Sequence, residues 1–250
     1  MSAPHAWWSA VASLADGVIA VVLAPHCGSC RRPLPQPTRG PVCDSCWAAI
    51  IPFTPPLCAA CGDPLPSWRI ISREMAVCAR CRRRRSSLAC CRAIGPYTGS
   101  LRDIVHALKY GGCRSLAPRL AARMRESGVE MLAEADVVVP VPLHRRRRRA
   151  RGFNQAEDLA RHLDRPMLLA LRRVRATASQ TDLPAARRHA NVRDAFALRR
   201  RRDVRGLRIV IIDDVCTTGA TLEACARVLR EAGAGEVSAL TAARVGSPRG

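Results

Sequence analysis

The chain has 250 residues, 48% of them apolar and 24% charged, and a formal net charge of +21. These proportions exclude collagen-like and wholly disordered chains and leave room for one or two domains with a buried core. Lys109 is the only lysine, so the excess is almost all arginine. Such a surface attracts phosphates, nucleic acid or anionic lipid, with a steep salt dependence.

Residues 1–26 contain "WWSAVASLADGVIAVVLAP". The stretch has no basic n-region and is interrupted by Asp16 and Gly17, which is too short and broken for a membrane span. It reads as an amphipathic helix docking on the cysteine-rich module or the domain downstream, with an interfacial membrane helix as the alternative. No other stretch is apolar enough to span a bilayer, and a cytoplasmic protein is expected.

Residues 27–86 carry eight of the thirteen cysteines in four C-x-x-C pairs: Cys27/Cys30, Cys43/Cys46, Cys58/Cys61 and Cys78/Cys81. One such turn brings two sulfurs within reach of a tetrahedral ion, and two turns close a four-thiolate zinc site. The linkers of 12 and 16 residues suit small hairpins. A secreted disulfide scaffold is the competing reading, but adjacent C-x-x-C cysteines pair poorly with each other. With all eight as thiolates on about two Zn²⁺, the net charge stays near +17. Consecutive pairing gives two successive ribbons and is preferred over a cross-braced arrangement. Cys90, Cys91, Cys113, Cys216 and Cys225 lack the spacing and read as buried or free thiols. Trp47 and Trp68 fall in this module; ribbon core suits Trp47, and both are candidates for base stacking.

From residue 87 to 250 the Cys/Pro-rich loops give way to alternating strand and helix patterns. "GSLRDIVHALKYGG" has apolar residues at 101, 104, 105 and 108, the spacing of one helical face, and Gly111 and Gly112 end it. "SLAPRLAARMRESG" and "NQAEDLARHL" read as helices, "ADVVVPVPL" and "LRIVIIDD" as buried strands, "TLEACARVLREAG" as a helix and "EVSALTAARV" as a last strand. The alternation predicts an α/β fold, a parallel sheet flanked by helices.

Ligands of such sheets sit beyond the carboxyl ends of the strands, where "IVIIDDVCTTGAT" places Asp213 and Asp214. Thr217, Thr218 and Thr221 supply hydroxyls, and Gly219 and Ala220 let successive N–H groups point at one anion. The loop suits a phosphate monoester. The carboxylates suit ribose hydroxyls or a Mg²⁺ carried by a second phosphate group. Together they want a sugar with phosphate at one end and metal-bound oxyanions at the other, as in 5-phosphoribosyl 1-pyrophosphate. A P-loop ATPase is set aside because no G-x-x-x-x-G-K-[ST] occurs.

"IVIIDDVCTTGAT" closely resembles the binding motif of type I phosphoribosyltransferases, with Cys216 at a position usually aliphatic. With the C-x-x-C array, "VPVPLHRRRRRARGFNQAEDLAR" and "SQTDLPAARRHANVRDAF", nearly the whole chain resembles the ComF family: a double zinc-ribbon module on a type I phosphoribosyltransferase-like domain, associated with DNA uptake in natural competence. The resemblance implies that Asp213 and Asp214 bind the ribose and that Thr217–Thr221 bind the 5-phosphate. It places a pyrophosphate loop at His144, Arg145 and the arginines up to Arg151, followed by Gly152, Phe153, Asn154 and Gln155. Arg146 to Arg148 read as facing solvent in large part, and Arg151 as the better ligand candidate. A mobile loop carries Gln180, Thr181, Arg187 and Asn191 as further candidates.

Transfer from the pyrophosphate donor needs electrostatic stabilisation of an oxocarbenium-like state rather than elaborate acid–base machinery. Only 17 residues follow Gly233, too few for a C-terminal base-binding hood, so the acceptor is not apparent. Two function classes stand: a phosphoribosyltransferase, with nucleobase salvage as one form, and a ligand-sensing scaffold that binds single-stranded DNA or a competence partner. With nine aromatic residues in all, phosphate contacts outweigh stacking in either case.

Overall fold

The computed structural model describes residues 4–66, 76–84, 86–175 and 194–246. Two compact units make up the chain: Met1–Ile51 with Thr98–Leu116, and Pro52–Tyr97 with Ala117–Gly250.

The first unit holds helix α1 (Pro4–Leu23), the first two C-x-x-C pairs with the short helix α2 (Asp44–Ala48), and helix α4 (Gly99–Tyr110). Helix α1 meets the segment between the first two cysteine pairs through Asp16. Asp16 is buried and its carboxylate accepts the Thr38 N–H at 2.8 Å. Leu14, Val18, Val21, Val22 and Leu23 point outward. No helix among the described residues is long and apolar enough to cross a membrane. Helix α4 buries the four positions its spacing indicates, Leu101, Ile104, Val105 and Leu108. Its Asp103 accepts the Ser29 hydroxyl of the first C-x-x-C turn at 3.0 Å.

The second unit is built on a four-stranded parallel sheet, order β1 (Cys91–Pro96), β6 (Glu236–Arg244), β5 (Arg208–Cys216) and β2 (Val137–Pro140). Helix α3 (Ala79–Arg82) belongs to its C-x-x-C turn. Helix α5 (Ala117–Ser127) packs on β1 and β6, and α6 (Val129–Ala133) follows it. Between them a Cβ on Gly128 would lie 2.9 Å from the Leu240 side chain, so this turn sits hard against the sheet. Helices α7 (Arg145–Arg151) and α8 (Gln155–Ala160) follow β2, and α9 (Ala220–Glu231) follows β5. Ile209, Ile211, Ile212, Leu222, Leu229 and Leu240 are almost fully buried, worth about 1.5–3 kcal/mol each. A small antiparallel hairpin, β3 (Leu171–Arg173) with β4 (Phe196–Leu198), stands apart from the sheet.

Candidate functional site

Strand β5 is buried through Ile212 and delivers Asp213, half-buried, and Asp214, buried, to its carboxyl end. The Asp213 carboxylate accepts the Asp214 N–H at 2.9 Å, which orients the first acid along the turn. Gly219 takes a left-handed conformation (φ +78) and N-caps α9. The Thr218 hydroxyl accepts the Ala220 N–H at 3.4 Å, and Thr217, Thr218 and Thr221 remain half-exposed. A glycine at positive φ before a twelve-residue helix turns backbone donors outward, toward the end of the helix dipole that favours an anion. The acids therefore stand beside a helix N-terminus whose backbone donors suit an anion.

The neighbouring strand end supplies the second loop. Val141 donates its N–H to Ile212 O at 2.9 Å, which brings the chain after β2 alongside Asp213. His144 caps α7, its Nδ1 accepting the Arg146 N–H at 3.3 Å. Arg145 to Arg149 are exposed, and Arg148 is also tethered at 3.0 and 3.3 Å to the buried Glu157. Arg151 donates to Gln155 Oε1 at 2.6 Å. Asn154 caps α8 and donates to Val141 O at 3.1 Å, so Asn154 and Gln155 brace the loop from behind. Gln180, Thr181, Arg187 and Asn191 lie outside the described residues, between β3 and β4.

Arg173, on β3, was not singled out by the sequence. Its half-buried guanidinium lies 5.4 Å over the Phe196 ring. Burial and then Arg147 draw its pKa down, while Cys225 and Asp213 act the other way. Arg147 and Asp213, which both act on it electrostatically, are residues of the two loops described above. The only signal for it was the apolar Phe196 across a hairpin whose three-residue strands have no readable period.

The cysteines gather as Cys27, Cys30, Cys43 and Cys46, and as Cys58, Cys61, Cys78 and Cys81, each set with its sulfurs within 4.8 Å of one another. Consecutive pairing is therefore the arrangement. Sulfur separations of 3.8 Å recur across the turns, which is the edge of a tetrahedron with Zn–S bonds of about 2.3 Å. Backbone N–H groups of Cys43 and Cys78 point at Cys27 and Cys58 sulfurs at 3.4 and 3.3 Å, as thiolates require. The residue after each first pair, Arg31 or Gly62, has positive φ, so the two turns repeat one geometry. The all-sulfur donor set and its dimensions fit structural zinc. Trp47 is buried in its ribbon, and Trp68 lies outside the described residues.

One arginine ties the second cysteine cluster to the Asp-Asp loop. Arg244, at the end of β6 and 5% exposed, pairs with Asp63, two residues after Cys61. Arg80 binds the same carboxylate at 2.8 Å. Arg244 Nη1 then reaches Cys216 Sγ at 3.3 Å and Cys91 Sγ at 3.8 Å. The Cys91 contact, with help from Arg244, holds the Cys216 thiol at about 7, while Cys91 is pushed well above the usual range by Cys216 and burial.

Two family models match the chain. The model of the phosphoribosyl transferase domain matches residues 111–250, and that of the double zinc ribbon domain matches 18–82. DNA utilization protein YhgH of Salmonella typhimurium is 34% identical over 84% of this chain and 93% of its own. Competence protein F of Haemophilus influenzae is 31% identical over 88% and 96%. Competence protein ComFC of Bacillus subtilis is 29% identical over 81% and 84%. With the Asp-Asp loop at the carboxyl edge of a parallel sheet and two four-cysteine clusters in the ribbons, the chain belongs to the ComF family, whose members join a double zinc ribbon to a phosphoribosyltransferase domain.

Proposed function

We propose that the chain binds 5-phosphoribosyl 1-pyrophosphate and transfers its phosphoribosyl group in the cytoplasm, in the service of DNA uptake. The observation that carries this reading is the run from Asp213 to Thr221: two acids at a strand end, then hydroxyls and a positive-φ glycine opening α9. Asp213 and Asp214 hold the ribose hydroxyls. Thr217, Thr218, Gly219, Ala220 and Thr221 hold the 5-phosphate, and His144, Arg145 and Arg151 the pyrophosphate. Gln180 and Arg187 are further ligand contacts, as the family resemblance implies. The oxygen-only donors at the strand end fit Mg²⁺, which enters with the pyrophosphate and neutralises the leaving group. The residues themselves orient the sugar, compensate developing charge and keep water from the anomeric carbon. Eight cysteines gathered as metal-binding thiols suit a reducing compartment. The names of the relatives, DNA utilization and competence proteins, support the assignment to DNA uptake.

The charge of +21 favours a second reading, in which the fold senses the donor and the arginine-rich surface binds single-stranded DNA or a competence partner without transfer. Titration calorimetry with the donor, with and without Mg²⁺, tests the site. Asp213→Asn with Asp214→Asn removes charged acceptors whose hydrogen bonds are worth about 1.5–3 kcal/mol each, so affinity should fall at least about tenfold with zinc content unchanged. Equal binding by parent and double variant refutes the assignment. Product analysis with candidate bases and with single-stranded DNA then separates enzyme from sensor.

A further inference from the structure

We propose that the outward face of α4 is where single-stranded DNA lies, with Tyr110 and His106 as a stacking platform for its bases and Arg102, Lys109 and Arg114 as contacts to its phosphates. Among the described side chains, Trp47, Phe153 and Phe196 are buried, and Phe53 and Tyr97 are half-buried. Tyr110 alone of these aromatic residues is exposed, at 63%. An aromatic side chain ordinarily buries about 150–250 Å², so a ring left in water does little for the core. The ring beside it is that of His106, one turn earlier and also exposed, with centroids 4.7 Å apart and planes tilted by 43°. A pair of rings held together in solvent is a surface on which a further ring can stack.

Charge on the same face has one sign. Leu101, Ile104, Val105 and Leu108 turn inward, which leaves Arg102, His106 and Tyr110 in line on the opposite side, each one turn from the next. Lys109 is half-buried next to Tyr110, and Arg114, just past the helix, is exposed. The one acid of the helix, Asp103, is half-buried and accepts the Ser29 hydroxyl at 3.0 Å. Cations interleaved with exposed rings match a polyanion whose every unit carries a flat face, which is a single-stranded nucleic acid. In a duplex those faces cover one another, and only base edges are offered. An anionic lipid surface takes up aliphatic side chains, and α4 exposes none. The site rests on the second reading above, in which the chain binds single-stranded DNA, and gives that binding its residues.

The test uses full-length, zinc-loaded protein and a fluorescent oligothymidylate, with affinity read by anisotropy over a salt series. Tyr110→Ala should weaken binding at least about fivefold, the loss of one stacked base, and leave the slope of log affinity against log salt unchanged, because a ring releases no counterions. Tyr110→Phe keeps the ring and should bind as the parent does. Arg102→Gln with Lys109→Gln and Arg114→Gln should flatten the slope by about two, at about 0.7 for each phosphate. A charge-matched control, Arg200→Gln with Arg201→Gln and Arg202→Gln, replaces three exposed arginines between β4 and β5 and should flatten it clearly less. In the parent protein, an oligonucleotide carrying iodouracil should be joined by ultraviolet light to the peptide that contains Tyr110, as read by mass spectrometry. Parent protein that binds no DNA at low salt overturns both the site and the second reading. Parent protein that binds, with Tyr110→Ala binding equally well and the cross-link falling elsewhere, overturns the site and leaves the second reading standing. A loss that Tyr110→Phe shares overturns stacking as its cause, and equal flattening by the two triple variants overturns the phosphate contacts on this face.

Discussion

Arg244→Met should be among the most destabilising single changes in the sheet unit, and its size follows from what the guanidinium touches. The side chain is 6% exposed and its partner Asp63 is 17% exposed. Breaking a buried pair on one side costs about 3–5 kcal/mol because a charge is left uncompensated. Here Asp63 keeps Arg80 at 2.8 Å, and Arg80 is 44% exposed and so a weaker, solvent-screened substitute. Methionine recovers part of the packing of the aliphatic stem. The balance is about 3 kcal/mol, which for a unit of this size lowers Tm by about 6–12 °C. Differential scanning calorimetry on zinc-loaded protein measures it, with zinc content as the control. Asp63→Asn should cost less, and the double variant should cost clearly less than the two singles together, because both lose the same pair. A Tm drop below about 2 °C, or strict additivity, refutes the reasoning.

Zinc analysis of the parent should return about two ions, and Cys27→Ser or Cys78→Ser should each lose about one, since the clusters share no ligand; a single variant losing both fails this expectation. Alkylation of Cys216 should accelerate as pH rises through about 7, because its pKa is lowered from 9.0 and the thiolate is the nucleophile; a rate that rises only toward pH 9 contradicts the contact with Cys91 and Arg244. Single-stranded DNA should bind with little sequence preference and weaken steeply with salt, in keeping with the +21 charge. Absence of binding at low salt removes the DNA-handling reading.

Contiguity decided what the sequence revealed. Asp213 to Thr221 and the four C-x-x-C pairs are local patterns whose chemistry is complete within a few residues, and α4 announced itself through one unbroken stripe. Helix α8 is shorter than "NQAEDLARHL" suggested, ending at Ala160. Leu163 is buried, Asp164 has φ +54, and Pro166 comes next but one, so the chain turns there. Strand β1, "CRAIGP", is not legible as a strand because a proline and a glycine mask its apolar positions. It is an edge strand, where proline is tolerated. That Asp16 anchors α1 was not legible, because its partner, the Thr38 N–H, lies twenty-two residues away. Arg173 and Arg244 were invisible for a different reason. Each acquires its role from partners far away in sequence, such as Asp63 and Cys91 for Arg244, and forty-one basic residues offer no reason to single one out.

Edge strands explain why a zinc turn and a parallel sheet share one compact unit. An uncovered edge such as β1 exposes a row of unpaired donors and acceptors. The second zinc turn covers it: Cys91 donates its N–H to Ala60 O at 2.7 Å, Phe53 donates to Ile94 O at 2.8 Å, and Arg92 Nη1 bonds the carbonyls of Cys58 and Ala59 at 3.5 and 3.1 Å. Gly62, at the end of the turn, approaches so closely that a Cβ would lie 2.5 Å from Cys91 O. At the opposite edge β2 is covered more simply, by Val138 bonding Pro166 and Leu168. The turn can present its backbone to β1 only while its own shape is fixed, and four thiolates around one ion fix it without a hydrophobic core. A zinc ion held by this cluster would thus brace the sheet's edge, and through Asp63 and Arg244 the same turn extends to the loop after Asp214.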